Sequence, residues 1–189
     1  MSRQQSLARW LSIVLHPFVV FAVFALLATA KLAPDQLARM MLGIALAILC
    51  VAAYITWRWK RGDWQTIDAS DKANRPGLYL LLLVVNAVLL VWLGGPANPA
   101  GKGVLVVTMM LAFAAIANRW IKLSLHMASL AYSVPLLWAL WPWLGATAAA
   151  LLPVLAWSRL ETKRHRLSEV LGGAALGLSA GWLALLWQG

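Results

Sequence analysis

SRLETKRHRLSEVLGGAALGLSAGWLALLW, residues 158–187, changes character partway along. Its first part holds Ser158, Arg159, Lys163, Arg164, His165, Arg166 and Glu169. From 170 to 187 it carries no charge, and such a run meets the roughly 17–25 residues that a helix needs to cross a bilayer. Charge at the mouth of a membrane helix is expensive and is usually kept for a reason. With the helix begun by His165, the side chains of His165 and Glu169 lie four apart on one face. A carboxylate so placed holds one imidazole nitrogen and leaves the other for a substrate.

Composition generalises this stretch to the whole chain. Of 189 residues, 62% are hydrophobic and only 12% charged, with a mean hydropathy of +0.77. A soluble domain carries about 25% charged residues, so the expectation is an integral membrane protein with one domain over 1–189. The N-terminal apolar run follows Arg3 and Arg9, as in a signal peptide. It exceeds the usual h-region of about 7–15 residues and has no clear cleavage site, so it reads as a retained helix. Cys50 is the single cysteine. It can form no internal disulfide, and its apolar segment suggests a buried, inert thiol. The net charge of +10 would suggest nucleic acid in a soluble protein. Here it reads as loop topology, with an anionic substrate as a compatible second cause.

Seven apolar segments can be drawn, at about 11–30, 40–57, 78–93, 104–117, 127–141, 144–157 and 170–187. The fold expected is all-α: a polytopic membrane helix bundle of about seven transmembrane helices, six being possible. The fourth to sixth segments are short for a span. Trp141-Pro142-Trp143-Leu144-Gly145 reads as a turn with interfacial aromatics, making 127–157 a helical hairpin. With the N-terminus inside, all sixteen Lys and Arg except Lys31, Arg39 and Lys102 fall on the inner side. That bias points to a cytoplasmic face for the inner loops. Three polar loops share that side, at 58–77, 118–126 and 158–169, each just before an apolar helix. The outer segment 94–103 is a turn-rich connector.

The third loop reads Ser158-Arg159, five residues, His165, three residues, Glu169, then Gly173 and Gly177. This resembles the last signature of the type 2 phosphatidic acid phosphatase (PAP2) superfamily, with Glu169 where Asp is usual. Ser124 and His126 in the second loop are similar to its middle signature, Pro-Ser-Gly-His, with Leu123 and Leu125 in place of Pro and Gly. Arg75-Pro76 in the first loop matches the end of the first signature, Lys, six residues, Arg-Pro. The lysine position holds Asp68, and Lys72 offers a cation three residues before Arg75. The resemblance covers roughly residues 60–177, and the PAP2-like core it implies runs to about 187.

The resemblance implies a lipid phosphate phosphatase that works through a phosphohistidine intermediate. His165 is then the nucleophile, oriented by Glu169, and His126 protonates the leaving alcohol and activates water for the second step. Lys72, Arg75, Ser124 and Arg159 hold the phosphate, which suits the physics: guanidinium matches phosphate bidentately and spreads its charge. No metal or cofactor is implied. The partners are a membrane lipid phosphate and the bilayer, with no nucleic acid. The lipid's identity and the oligomeric state stay open. The location implied is a bacterial inner membrane. Many bacterial members of the family act on its outer face, whereas the charge bias here points inward.

Gly173, Gly177 and Gly181 form a small-residue face at four-residue spacing. Close helix packing is enough to explain it, and it makes the last helix central. Two other readings fit part of the sequence. One is a non-catalytic PAP2-like protein that binds or transports lipid. The other is a Mg²⁺-dependent prenyltransferase, because Asp68, Asp71 and Asn74-Arg75-Pro76 resemble part of one signature of such enzymes. That chemistry needs a second acidic cluster, and the third loop offers only Glu161 and Glu169.

Overall fold

The computed structural model describes residues 2–62 and 75–188, and the helix is its building unit. Eight α-helices occur among these residues: α1 (Arg3–Val14), α2 (Pro17–Leu32), α3 (Leu37–Lys60), α4 (Arg75–Trp92), α5 (Pro99–Ala117), α6 (Leu125–Leu140), α7 (Pro142–Glu161) and α8 (Leu167–Gln188). They fall into two compact units. One joins Met1–Ala28 to Ile121–Gly189, and the other is Thr29–Trp120.

Five of the helices are long and apolar enough to cross a membrane: α3 with its short lead-in from Pro34, α4, α5, α7 and α8. A sixth span exists if α1 and α2, bent by 41° at their junction, are taken together. The sequence leads one to expect about seven spans, six being possible; five helices, or six with the bent pair, pass by length and composition. The segment that falls short of span length is α6, whose 16 residues rise only about 24 Å. The other two segments that looked short gain length: α5 has 19 residues and α7 has 20.

The expected continuous first helix is broken. Pro17 has no N–H, so Ile13 cannot receive its helical i+4 bond. The His16 N–H turns back to the Ile13 carbonyl at 3.2 Å instead, and α2 restarts at Pro17. At the other end of α1, Ser2 and Gln5 form a reciprocal capping box.

In the first unit, α6 and α7 form the expected hairpin with a tighter turn. Trp141 alone separates the helices, and Pro142 opens α7, where a missing N–H costs nothing. Gly145 lies inside α7 and lets the Trp138 backbone pack directly against it. The core of this unit gathers Met127, Leu130, Leu137, Leu155 and Val170, with Val20 and Phe24 of α2 packed on it. Phe21 and Phe24 meet the buried Tyr132 ring edge-on, with centroids 5.7 and 5.8 Å away.

The glycine face of α8 lies against α6. A Cβ on Gly173, Gly177 or Gly181 would run into the backbone carbonyl of Ser124, Ala128 or Tyr132, respectively. Three successive turns of α8 thus touch the α6 backbone, which makes α8 central to this unit. Packing this close fixes the start of α6 relative to the start of α8.

In the second unit, α3 and α4 keep most of their apolar surface outward: only 17% of either span window is buried. Leu42, Leu46 and Leu49 on α3, and Val84, Val88 and Val91 on α4, are exposed in the isolated chain. A bilayer covers such a surface and water would not tolerate it. Cys50 belongs to it: the thiol is exposed, which corrects the buried placement expected from its apolar neighbours. The connector after α4 is shorter than 94–103. Gly94 and Gly95 take positive φ, and α5 starts at Pro99, where the Asn98 side chain caps the Gly101 N–H.

Candidate functional site

α7 ends in a Schellman motif that places His165. The Lys163 N–H bonds the Leu160 carbonyl at 2.9 Å and the Arg164 N–H bonds the Arg159 carbonyl at 3.3 Å. Lys163 holds the left-handed conformation there (φ 53°), where glycine is usual. The Lys122 ammonium ties the Arg164 carbonyl at 2.8 Å, linking the loop before α6 to the loop before α8.

His165 follows this turn, and α8 begins two residues later. His165 Nδ1 donates to Glu169 Oε2 at 2.9 Å, the expected pair, although the helix they were expected to share begins only at Leu167 and His165 reaches the carboxylate from the turn before it. The same oxygen accepts the Arg166 N–H at 3.2 Å. Glu169 is therefore fixed by backbone and ring together, and the longer side chain in place of aspartate still reaches. The proton on Nδ1 leaves the lone pair of the neutral ring on Nε2. The His165 side chain is 1% exposed.

Ser124 and His126 come to the same end of the unit. The Ser124 N–H donates to the Glu169 backbone carbonyl at 3.1 Å. Ser124 is fully buried, and its Oγ caps α6 by accepting the Met127 N–H at 3.5 Å. Accepting there keeps the serine hydrogen as a donor for another group. His126, in the first turn of α6 and outside the five spans, sits within the influence of Arg159, His16 and His165. Burial holds its imidazole well below the usual histidine range. The Arg159 guanidinium and then the His16 and His165 rings push it the same way, and a bond to the Ser12 carbonyl opposes them.

Arg159 and Ser158 lie buried in the last turns of α7. Their partners come from α1. Arg159 Nη1 donates to Ser12 Oγ at 3.0 Å, Ser12 Oγ lies 2.7 Å from Ser158 Oγ, and Ser158 Oγ donates to the Ala8 carbonyl at 2.6 Å. His126 Nε2 donates to the Ser12 carbonyl at 3.2 Å. The His16 ring stands edge-on to His126, with centroids 5.2 Å apart.

The first unit thus brings together five of the seven residues singled out from sequence: Ser124, His126, Arg159, His165 and Glu169. Arg75 is buried at the start of α4 in the second unit. Lys72 lies outside the described residues, as do Asp68 and Asp71. Sequence reasoning missed Ser12 and His16, because α1 lies outside every motif. One signal was present: His16-Pro17 interrupts an apolar run, and a proline there predicts a helix boundary with a histidine at it.

Chemically, the cluster combines a carboxylate-oriented imidazole, a second imidazole, a guanidinium and a buried hydroxyl donor. Groups of these kinds have the chemistry to bind an anion and to move a proton. No protein-family model, curated protein or solved structure matches the chain.

Proposed function

We propose that the chain is a lipid phosphate phosphatase of PAP2 type, hydrolysing a phosphomonoester or diphosphate of a membrane lipid through a phosphohistidine. The observation that carries this reading is the His165–Glu169 pair at 2.9 Å, set beside Arg159, His126 and Ser124 at one end of an apolar bundle. His165 Nε2 attacks phosphorus and the ester P–O bond breaks. His126 gives its proton to the leaving alkoxide and then takes one from the water that splits the P–N bond. Glu169 stabilises the imidazolium character that His165 gains. Arg159 neutralises the non-bridging oxygens, and Ser124 adds a neutral donor; the same role for Lys72 and Arg75 rests on the resemblance alone. A bound phosphate dianion opposes the burial that holds His126 neutral, and so raises it toward proton delivery.

The apolar spans fit a bilayer-embedded substrate. The charge bias of the loops supports a site on the cytoplasmic side of a bacterial inner membrane. The testing experiment is phosphate release by purified protein in EDTA, over phosphatidic acid, phosphatidylglycerol phosphate and prenyl phosphates. Release from at least one of them is expected, and silence over the whole panel sinks the reading. Within it, Glu169→Gln is expected to lower kcat by about a hundredfold or more, since an amide can hold the ring in the wrong tautomer. Glu169→Asp should retain more activity than Glu169→Gln, and a ranking in the other order contradicts the orienting role.

The enclosure of His165 favours a second reading. In it the cluster is a polar core pinning α1, α6, α7 and α8, and the protein binds lipid without turning it over. His165→Ala then lowers stability, and no phosphate is released by the parent chain.

A further inference from the structure

Ser12 belongs to no motif, yet it touches three residues of the polar cluster. Its two oxygens do different work. Ser158 has one hydroxyl hydrogen and gives it to the Ala8 carbonyl, which can only accept. Ser158 Oγ therefore accepts from the Ser12 hydroxyl. Ser12 Oγ in turn accepts from Arg159 Nη1. The chain of donors runs one way, from Arg159 through Ser12 and Ser158 to Ala8, and its hydrogens are all assigned.

The Ser12 carbonyl is free for His126 because of Pro17. In an unbroken helix, the His16 N–H would bond the Ser12 carbonyl and residue 17 would bond Ile13. Pro17 has nothing to donate, His16 shifts to Ile13, and the Ser12 carbonyl takes His126 Nε2. A carbonyl accepts only, so the neutral His126 ring carries its proton on Nε2. Nδ1 makes no hydrogen bond among the described residues. The groups facing this ring are Arg159 of α7, His165 of the α7–α8 loop and His16 at the α1–α2 break.

We propose that Ser12 is a positioning residue of the site: its carbonyl fixes His126 with Nδ1 as the proton-transferring nitrogen, and its hydroxyl sets Arg159 for the phosphate. The break at His16-Pro17 is then a functional feature of α1. The activity readouts rest on the phosphatase reading, while the tautomer readout does not.

Three histidines make the rings countable. In ¹⁵N-histidine spectra of the full chain in detergent, His126 is expected to show a protonated Nε2 and a bare Nδ1. Pro17→Ala restores an N–H at 17, returns His16 to the Ser12 carbonyl and releases His126 to mixed tautomers. Ser12→Ala is expected to raise KM for a lipid phosphate by about tenfold, the worth of one hydrogen bond to a charged group, with a smaller change in kcat. Ser12→Thr keeps the hydroxyl and restores KM. A wild-type His126 protonated on Nδ1, a tautomer unmoved in folded Pro17→Ala, or Ser12→Ala kinetics equal to wild type each overturn the proposal. Where Pro17→Ala does not fold, the wild-type tautomer and the Ser12 pair decide. A wild-type protein that hydrolyses no lipid phosphate defeats the phosphatase reading alone, and the tautomers then decide the role of Ser12.

Discussion

His165→Ala is expected to lower phosphate release from a lipid phosphate by about 10⁴-fold or more, the scale seen when a covalent nucleophile is removed. In the proposed mechanism His126 is the proton carrier and Ser124 a neutral donor, so neither is assigned to stand in for it. His126 is held by Ser12 through Nε2, and Ser124 is fully buried with its oxygen capping α6. The variant also leaves the Glu169 carboxylate without its ring partner, although the Arg166 N–H remains. A stability loss of about 1–3 kcal/mol is the accompanying cost. The two effects separate in one preparation. Folded His165→Ala protein, checked by thermal unfolding in detergent, should be inactive on every substrate that the wild type hydrolyses. Retained turnover in that variant would falsify the nucleophile assignment.

Gly177→Ala is expected to destabilise the protein even though alanine is the better helix former. The helix-propensity gain is about 1 kcal/mol. The added Cβ runs into the Ala128 backbone carbonyl, which cannot rotate away, and overpacking of this kind costs about 1–3 kcal/mol. The steric term wins, and Gly177→Leu enlarges it. Gly172 supplies the contrast on the same helix. A Cβ there meets only the Cδ2 of Leu123, at 2.7 Å, the end of a side chain that can move. Gly172→Ala should therefore match or exceed wild-type stability. Thermal unfolding of the pair is the measurement, and equal losses for both would mean that α8 does not pack on the α6 backbone as described. Gly173→Ala is expected to cost activity as well, because the carbonyl it displaces belongs to Ser124.

The parts legible in the sequence are those written in local spacing. Glycines at 173, 177 and 181 are one helical repeat apart, and they meet successive turns of α6. His165 and Glu169 are an i, i+4 pair, and they bond as one. The hairpin at Trp141 was readable from its aromatics and proline, though Pro142 and Gly145 act inside α7 rather than in the turn. The α1–α2 break was blurred because hydropathy does not register a missing N–H, and His16-Pro17 was the only mark of it. Ser12 was invisible for another reason. Its partners are Ser158, Arg159 and His126, more than a hundred residues away in the chain, and no spacing encodes a contact of that range. The shortness of α6 was readable, yet its burial was not: ten of its sixteen residues are buried.

The most direct test of the central claim is to trap the phosphoenzyme. Wild-type protein is mixed with a ³²P-labelled lipid phosphate in EDTA, quenched in alkali within the first turnovers, and the labelled peptide is identified. The account predicts an acid-labile, alkali-stable label on His165, absent from His165→Ala. A label on another residue, or phosphate release with no label at any time point, would contradict it.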